Sequence, residues 1–417
     1  MRTDARTLLA VGYASGGTGF GRVLSSILSG VAAAPPLDGW EVHQFELAHL
    51  AERTEPSWQV HPNQRPDDPF GLIQLPALLD EIKPDLVFVV VEPWVAVFYA
   101  RCVRQAGGNR TRIVAYTPID GTLQDCPYLH HLGDLDQMVL YTRAARKALG
   151  ERLQSMGGRC PPLRVIPHGV DLAAFQPYAR NGTDSGRRRA RRELWPDQPD
   201  LWDAFIVLNA NRNQPRKQIA TTIEGFARFA RGKPPNVRLY LHMGVLDEGV
   251  PVIELARQHG IEDRLLLTER QRRHPRVTDA RLNCIYNACD VGINTSAGEG
   301  WGLCAFEHAA TGAAQVVPRH TGCEENWSGA ALLVEPAQEI NFGNAFLTGF
   351  GLEPEAVAQA LNRLYEDTAF RETMAARAFQ RATEGFPNWT RVAEHFRDLF
   401  DAIVQPGAMP EPARQLA

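Results

Sequence analysis

Short apolar runs alternate with stretches in which apolar residues return every three or four positions, from the start of the chain onward. The runs Thr7 to Val11, Glu41 to Phe45, Asp85 to Val91, Arg112 to Thr117, Gln137 to Tyr141 and Leu163 to Ile166 predict strands. Between the first two, Phe20, Val23, Leu24, Ile27, Leu28 and Val31 fall on one face of a predicted helix. Nearly continuous apolar strands separated by helical segments predict a parallel sheet covered on both faces, the opening of a doubly wound α/β domain. That domain is expected to end near Asp171, with its boundary at about residue 175.

From 176 to 202 the alternation lapses, and Pro177, Asn181, Gly182, Gly186, Pro196 and Pro199 mark connecting segments. It resumes with predicted strands at Ala204 to Ala210, Val237 to Met243, Leu265 to Thr268, Asp290 to Asn294, Ala314 to Val317 and Ala330 to Val334. These predict a second α/β domain over 176–387. The tail is predicted to be helical over Pro354 to Glu366, Ala369 to Thr383 and Trp389 to Val404. Ligands of open α/β sheets bind beyond the carboxyl ends of the strands, so two facing domains would enclose a cleft.

Composition narrows the class without naming a function. The 417 residues suffice for two cores, and the formal charge of −4 argues against a general nucleic-acid or anionic-membrane binder. Seven cysteines, none in a CxxC pair, suit a reducing compartment. The apolar stretch Leu8 to Val11 is too short for a signal sequence, and the stretch Leu86 to Ala100 is broken by Glu92 and Pro93. The chain reads as soluble and cytoplasmic, with peripheral membrane attachment left open.

The chemistry concentrates in the segment DVGINTSAGEGWGLCAFE, Asp290 to Glu307. A strand end gives way to a loop through Gly298, and helical spacing begins at Leu303. Glu299 is therefore expected in a strand-to-helix loop and Glu307 inside the helix. Gly298, Gly300 and Gly302 allow a ligand to approach backbone N–H groups at the helix start, a geometry suited to phosphate. Carboxylates beside phosphate suit hydroxyl-bearing groups, such as a sugar and a ribose.

Arg212 and Lys217 follow the first strand of the second domain, on the ligand side. Two cations there would neutralise a diphosphate, one as a planar fork and one as a point charge. The glycine loop GYASGGTGFG, with Gly16, Gly17 and Gly19, lies between the first strand and first helix and does not fit GxGxxG, which disfavours a standard dinucleotide site. His168, in the turn PHGVD, suits a packed histidine or a ligand contact equally, and no proton-transfer role is assigned to it.

These segments, in this order, resemble the retaining glycosyltransferases of family four, whose GT-B fold sets two facing Rossmann-like domains with parallel sheets around an interdomain cleft. The resemblance covers most of the chain and rests chiefly on the E-x7-E pattern of Glu299 and Glu307 with its EGWGL core. It implies transfer of a hexose from a nucleotide-diphosphate sugar to a hydroxyl acceptor, with retained configuration and without a metal or other cofactor. Glu299 would contact the donor sugar and Glu307 the ribose. Arg212 and Lys217 would bind the diphosphate, assisted by Gly16, Gly17 and Gly19 and by backbone N–H groups over Gly300, Gly302 and Leu303. The tail helix, about 388–417, would pack back on the first domain.

Departures bear on the acceptor side. Trp301 stands where phenylalanine is usual. Many members carry a histidine after the strand matching Arg112 to Thr117; here Asp120 is the candidate for that position, with His130 and His131 as the other local ones. The acceptor is left open among a lipid, a glycan, a metabolite and a modified nucleic acid. The resemblance of the segment NRNxxRK to members of this family that use such donors implies a guanosine donor carrying mannose, with uridine donors next. A sugar-nucleotide epimerase on the same fold and a non-catalytic nucleotide-sugar-binding protein are the rival functions.

Three signals are set aside. The run Arg187, Arg188, Arg189, Arg191 and Arg192 reads as a solvated helix beside a connection. Asp134 and Asp136 form a DxD in a domain of the wrong type. Cys284 and Cys289 lack the matching histidines of a zinc site.

Overall fold

The computed structural model describes residues 6–13, 18–33, 39–47, 56–107, 110–179, 184–341 and 346–405. The chain forms two compact units, one of residues 1–119, 123–169 and 387–417, the other of residues 120–122 and 170–386.

In the first unit, strands β1 (Arg6–Gly12), β2 (Trp40–Glu46), β3 (Gln59–Pro62), β4 (Leu86–Val90) and β5 (Arg112–Thr117) precede a two-residue strand β6 (Thr122–Leu123), then β7 (Gln137–Leu140) and β8 (Leu163–Val165). Seven of them form a parallel sheet in the order β3-β2-β1-β4-β5-β7-β8. Every residue of β4 is buried, as a central strand covered on both faces requires. The edge strand β3, QVHP, is short, partly exposed and ends in proline, so no apolar run announces it.

The first helix, Gly19–Ala32, starts where the Thr18 hydroxyl accepts from the Gly21 N–H at 3.0 Å, an N-cap. Its buried face carries Val23, Leu24, Ile27, Leu28 and Val31, with Phe20 half-buried. Gly19 is thus the first helical residue. Gly16 and Gly17, expected as a phosphate cradle, lie outside the described residues.

The last helix, Trp389–Val404, belongs to this unit and buries Val392, Ala393, Phe396, Leu399, Phe400 and Ile403. The rings of Phe396 and Phe400 lie 5.1 and 5.0 Å from that of Phe88 on β4. Each fully buried side chain of this size stabilises the unit by roughly 1.5–3 kcal/mol. His168 packs against Tyr141 and Trp389, and its Nδ1 is 2.7 Å from the Tyr116 hydroxyl. Burial pushes its pKa down to about 3, which leaves a neutral core histidine.

In the second unit, β9 (Phe205–Asn209), β10 (Val237–Leu241), β11 (Leu265–Leu267), β12 (Val291–Ile293), β13 (Ala314–Pro318) and β14 (Leu332–Val334) form a parallel sheet in the order β11-β10-β9-β12-β13-β14. The antiparallel hairpin of β15 (Gln338–Asn341) and β16 (Leu347–Gly351) follows. Strand order reverses between β9 and β12, so their carboxyl ends flank a topological switch point, where such sheets bind ligands.

Within the stretch 176–202 the arginine run lies on a helix, as expected, Asp184–Leu194, but that helix is not simply solvated. Arg187 and Arg191 lie four apart on the inward face. Arg191 Nη2 donates to Asp290 at 2.7 Å and its Nε to the Ala288 carbonyl, while Arg187 Nε is 3.5 Å from Asp290. Arg189 and Arg192 lie over the rings of Tyr178 and Trp202. In the DxD, Asp136 accepts from Arg104 and Arg112 and from the Ile113 N–H, a structural role.

Candidate active site

Two loops meet at the switch point of the second sheet. One follows β9: a three-residue turn, Pro215–Lys217, leads through Gln218, in the left-handed region at φ 48°, into the helix Ile219–Ala230. The other follows β12 through Asn294 to Gly302 and enters the helix Leu303–Ala309. A buried polar staple joins them. The hydroxyls of Thr222 and Thr295 lie 2.7 Å apart, the Thr295 hydroxyl is 3.1 Å from the Lys217 carbonyl, and the Ala297 N–H donates to the Arg216 carbonyl at 2.8 Å.

That staple sets Lys217 against Glu299. Both side chains are buried, and Lys217 Nζ donates to Glu299 Oε2 at 2.5 Å. Asn294 Nδ2 and Ser296 Oγ reach the same oxygen at 3.3 and 3.4 Å. Arg216 Nη1 lies 4.0 Å from Glu299 Oε1, 3.1 Å from Asp120 Oδ2 and 2.5 Å from the Gly298 carbonyl, to which it donates. Burial pushes the Glu299 carboxyl up, but the charges of Lys217 and Arg216, with hydrogen bonds from Lys217 and Asn294, outweigh it and hold its pKa below the usual range. The centre is two cations and two carboxylates, of which Lys217, Glu299 and Asp120 are buried and Arg216 is partly exposed. Such an arrangement stabilises little by itself but fixes charge where a ligand can use it.

A third turn, after β13, closes over the glutamate loop. Thr321 holds φ at 48°, an outlier for a β-branched residue, and its hydroxyl donates to the Glu299 carbonyl at 3.0 Å. The Gly322 N–H donates to the same carbonyl at 3.0 Å, and a Cβ on Gly322 would lie 2.3 Å from the Gly300 oxygen. Gly302 sits at φ 92° before the helix, a conformation that favours glycine. Inside that helix Glu307 is buried and accepts from the Tyr286 hydroxyl at 2.9 Å. Trp301 stacks on Phe306 with centroids 5.0 Å apart and meets Phe386 edge-on, so it acts in packing.

The structure thus brings Glu299, Lys217, Asp120, Gly300 and Gly302 to one place, with Leu303 and Glu307 on the adjoining helix. Arg212, on the same loop as Lys217, is bidentate on Asp247 at 2.7 and 3.2 Å. Asp120, expected in the first domain, groups with the second unit through Asp120–Thr122. His130 and His131 are exposed. Sequence reasoning passed over Arg216, Thr321 and Gly322. The turn HTG, two residues past a predicted strand and on the ligand side, is the signal for the last two. Among the described residues no group of three or more His, Cys, Asp or Glu is arranged to hold a metal ion, and no helix is long and apolar enough to cross a membrane.

Comparison with solved structures defines the fold. The chain aligns with sucrose-phosphate synthase from Thermosynechococcus elongatus at TM-score 0.72 and 18% identity, over 95% of this chain and 98% of that one. It aligns with Anabaena HepE, solved in complex with UDP-glucose, at TM-score 0.69 and 17% identity, over 95% and 99%. The fold is GT-B, two Rossmann-like domains with parallel sheets.

In sequence, the family described as Glycosyl transferase-like matches residues 251–398. The chain is 29% identical over 282 residues to the D-inositol 3-phosphate glycosyltransferase of Kineococcus radiotolerans, covering 65% of this chain and 58% of that protein. It is 30% identical over 250 residues to the protein of that name from Streptomyces griseus, covering 58% and 48%. The chain therefore spans about half the length of these curated relatives, and it resembles glycosyltransferases of the GT-B fold.

Proposed function

We propose that this protein is a retaining glycosyltransferase that moves a hexose from a nucleotide-diphosphate sugar to a hydroxyl acceptor without a metal. The observation that carries the proposal is the buried Lys217–Glu299 contact, with Arg216 beside it, at the switch point next to a glycine-rich helix start. A diphosphate needs cations and N–H donors; a hexose needs a fixed carboxylate for its hydroxyls. In this proposal Lys217 and Arg212 neutralise the leaving diphosphate, Glu299 orients the transferred sugar, Glu307 holds the ribose, and Asp120 stands on the acceptor side. With no nucleophile assigned to the far face of the sugar, the acceptor attacks from the leaving-group side, and a departing phosphate oxygen takes the acceptor proton.

Two neighbours favour a uridine donor over the guanosine donor that the NRNxxRK segment suggests. HepE was solved with UDP and glucose, and the Escherichia coli trehalose-6-phosphate protein with UDP-2-fluoro glucose. The test is a thermal-shift panel of nucleoside diphosphates and their sugars, followed by incubation of the stabilising donor alone and with candidate acceptors. Stabilisation by a nucleotide sugar and acceptor-dependent release of the nucleoside diphosphate support the proposal. Isomerisation of the donor without acceptor makes the protein an epimerase, and binding without turnover makes it a sensor.

A further inference from the structure

The guanidinium of Arg212 is held in an unusually complete frame. Its Nε donates to Asp247 Oδ2 at 2.7 Å and its Nη2 to Asp247 Oδ1 at 3.2 Å and to Glu248 Oε1 at 2.9 Å. Asp247 is only 7% exposed at its side chain, whereas Arg212 is 40% exposed. The Nη1 edge makes no hydrogen bond among the described residues. Two bonds to the two oxygens of one carboxylate restrict how an arginine fork can turn, so the edge left over has a set direction.

The loop that carries Asp247 is itself fastened to the loop that carries Arg212. Asn213, fully buried, donates through Nδ2 to the carbonyls of Gly244 and Val250 at 3.0 and 2.8 Å, and its Oδ1 accepts from the Val250 N–H at 3.0 Å. The Gly249 N–H donates to the Asn213 carbonyl at 2.9 Å, and Gln214 Nε2 to Glu248 at 2.9 Å. These bonds flank Asp247 on both sides and adjoin Arg212 directly. The frame is therefore built into the carboxyl ends of β9 and β10 rather than made by two surface side chains meeting by chance.

We propose that Asp247 is a positioning residue: it orients Arg212 so that the free Nη1 edge meets the diphosphate of the donor. The inference rests on the proposed function, in which Arg212 is a diphosphate ligand. A buried carboxylate that keeps Nε and Nη2 occupied removes the rotamer search that a free arginine would lose on binding. A competitor for the cation would instead be expected to release Arg212 to the ligand.

Calorimetry of UDP and GDP with the full chain and with the variants D247N, R212A and the double variant separates the possibilities. R212A is expected to weaken the preferred nucleoside diphosphate about tenfold, the effect of one charge-assisted hydrogen bond. D247N is expected to weaken it at least about threefold, and the double variant to bind no worse than R212A alone, since Asp247 acts only through Arg212. Unchanged or tighter binding by D247N, with R212A weakened, overturns the inference and leaves the proposed function standing. Additive losses overturn it as well, because a general structural defect gives them. No effect of R212A overturns the role of Arg212 and the inference with it. Should D247N not fold, R212K carries the test: it keeps the cation but cannot span both Asp247 oxygens. A loss close to that of R212A supports orientation, and affinity within about twofold of the unaltered protein overturns it.

Discussion

Lys217 supplies the main cation facing the buried Glu299 carboxylate. Replacing it by methionine leaves burial to dominate, so the Glu299 pKa should rise above its usual range. Nucleoside-diphosphate affinity, measured by calorimetry, should fall by about tenfold or more. Unchanged affinity would count against Lys217 as a diphosphate ligand. Both residues are legible in the sequence as types in the right places, but their contact is not. Each follows a predicted strand at its ligand end, and the E-x7-E spacing marks Glu299 and Glu307. Arg216 is hidden because its neighbour Lys217 absorbs the local signal and its partner Asp120 lies far away in sequence. The partner that orients Arg212, Asp247, lies in another loop, which no local spacing reveals.

At the scale of elements, the central strands and the long helices were legible because burial on both faces, or on one helical face, writes a simple apolar period. The helices Pro354–Glu366 and Trp389–Val404 have the predicted limits. The strands β3, QVHP, and β15, QEIN, were missed because edge positions impose no apolar period. The helix Asp184–Leu194 reads as solvated in sequence because its inward face is arginine rather than leucine, and it packs through ion pairs with Asp290. Arg191→Ala should therefore destabilise the second unit by about 3 kcal/mol, the cost of leaving a buried carboxylate short of its partner. Arg189→Ala, on the outer face, should change stability by less than about 1 kcal/mol. Chemical denaturation of both variants checks this, and equal effects would contradict the inward role of Arg191.

On the scale of the whole molecule, two sheets of the same winding logic follow from repeated β-α alternation, and the switch point of the second one locates the candidate site. Acid sensitivity is a property of the whole. Burial lowers the pKa of His168, His242 and His308 to about 3 and of His274 and His320 to about 4. An unfolded histidine titrates near 6.5, so below that pH the unfolded chain binds protons that the folded chain does not. Stability is present above about pH 6.5 and is lost as pH falls, by up to about 1.4 kcal/mol per unit for each such histidine. Glu299, with its depressed pKa, adds a loss of the same sign at lower pH. Four of these five strongly shifted histidines lie in the second unit, against one in the first, where His61 and His395 are lowered by smaller shifts, so the second unit's thermal transition should fall more steeply between pH 7.5 and 5.5. Calorimetric scans in which both transitions hold constant would contradict this assignment. In the first unit, Phe396→Ala should cost about 3–5 kcal/mol and speed hydrogen exchange in β4 and β5 while sparing β9 and β12. Faster exchange in β9 and β12 would contradict the separate cores.

In the proposed function the Glu299 carboxylate, held by Lys217, serves the transferred sugar. Turnover of the preferred nucleotide sugar at saturating donor, compared between the unaltered protein and Glu299→Gln, tests it most directly, since glutamine keeps the shape and an acceptor for Lys217. A fall in kcat of about 10² or more is expected, with nucleoside-diphosphate affinity within about threefold. An unchanged kcat would contradict it.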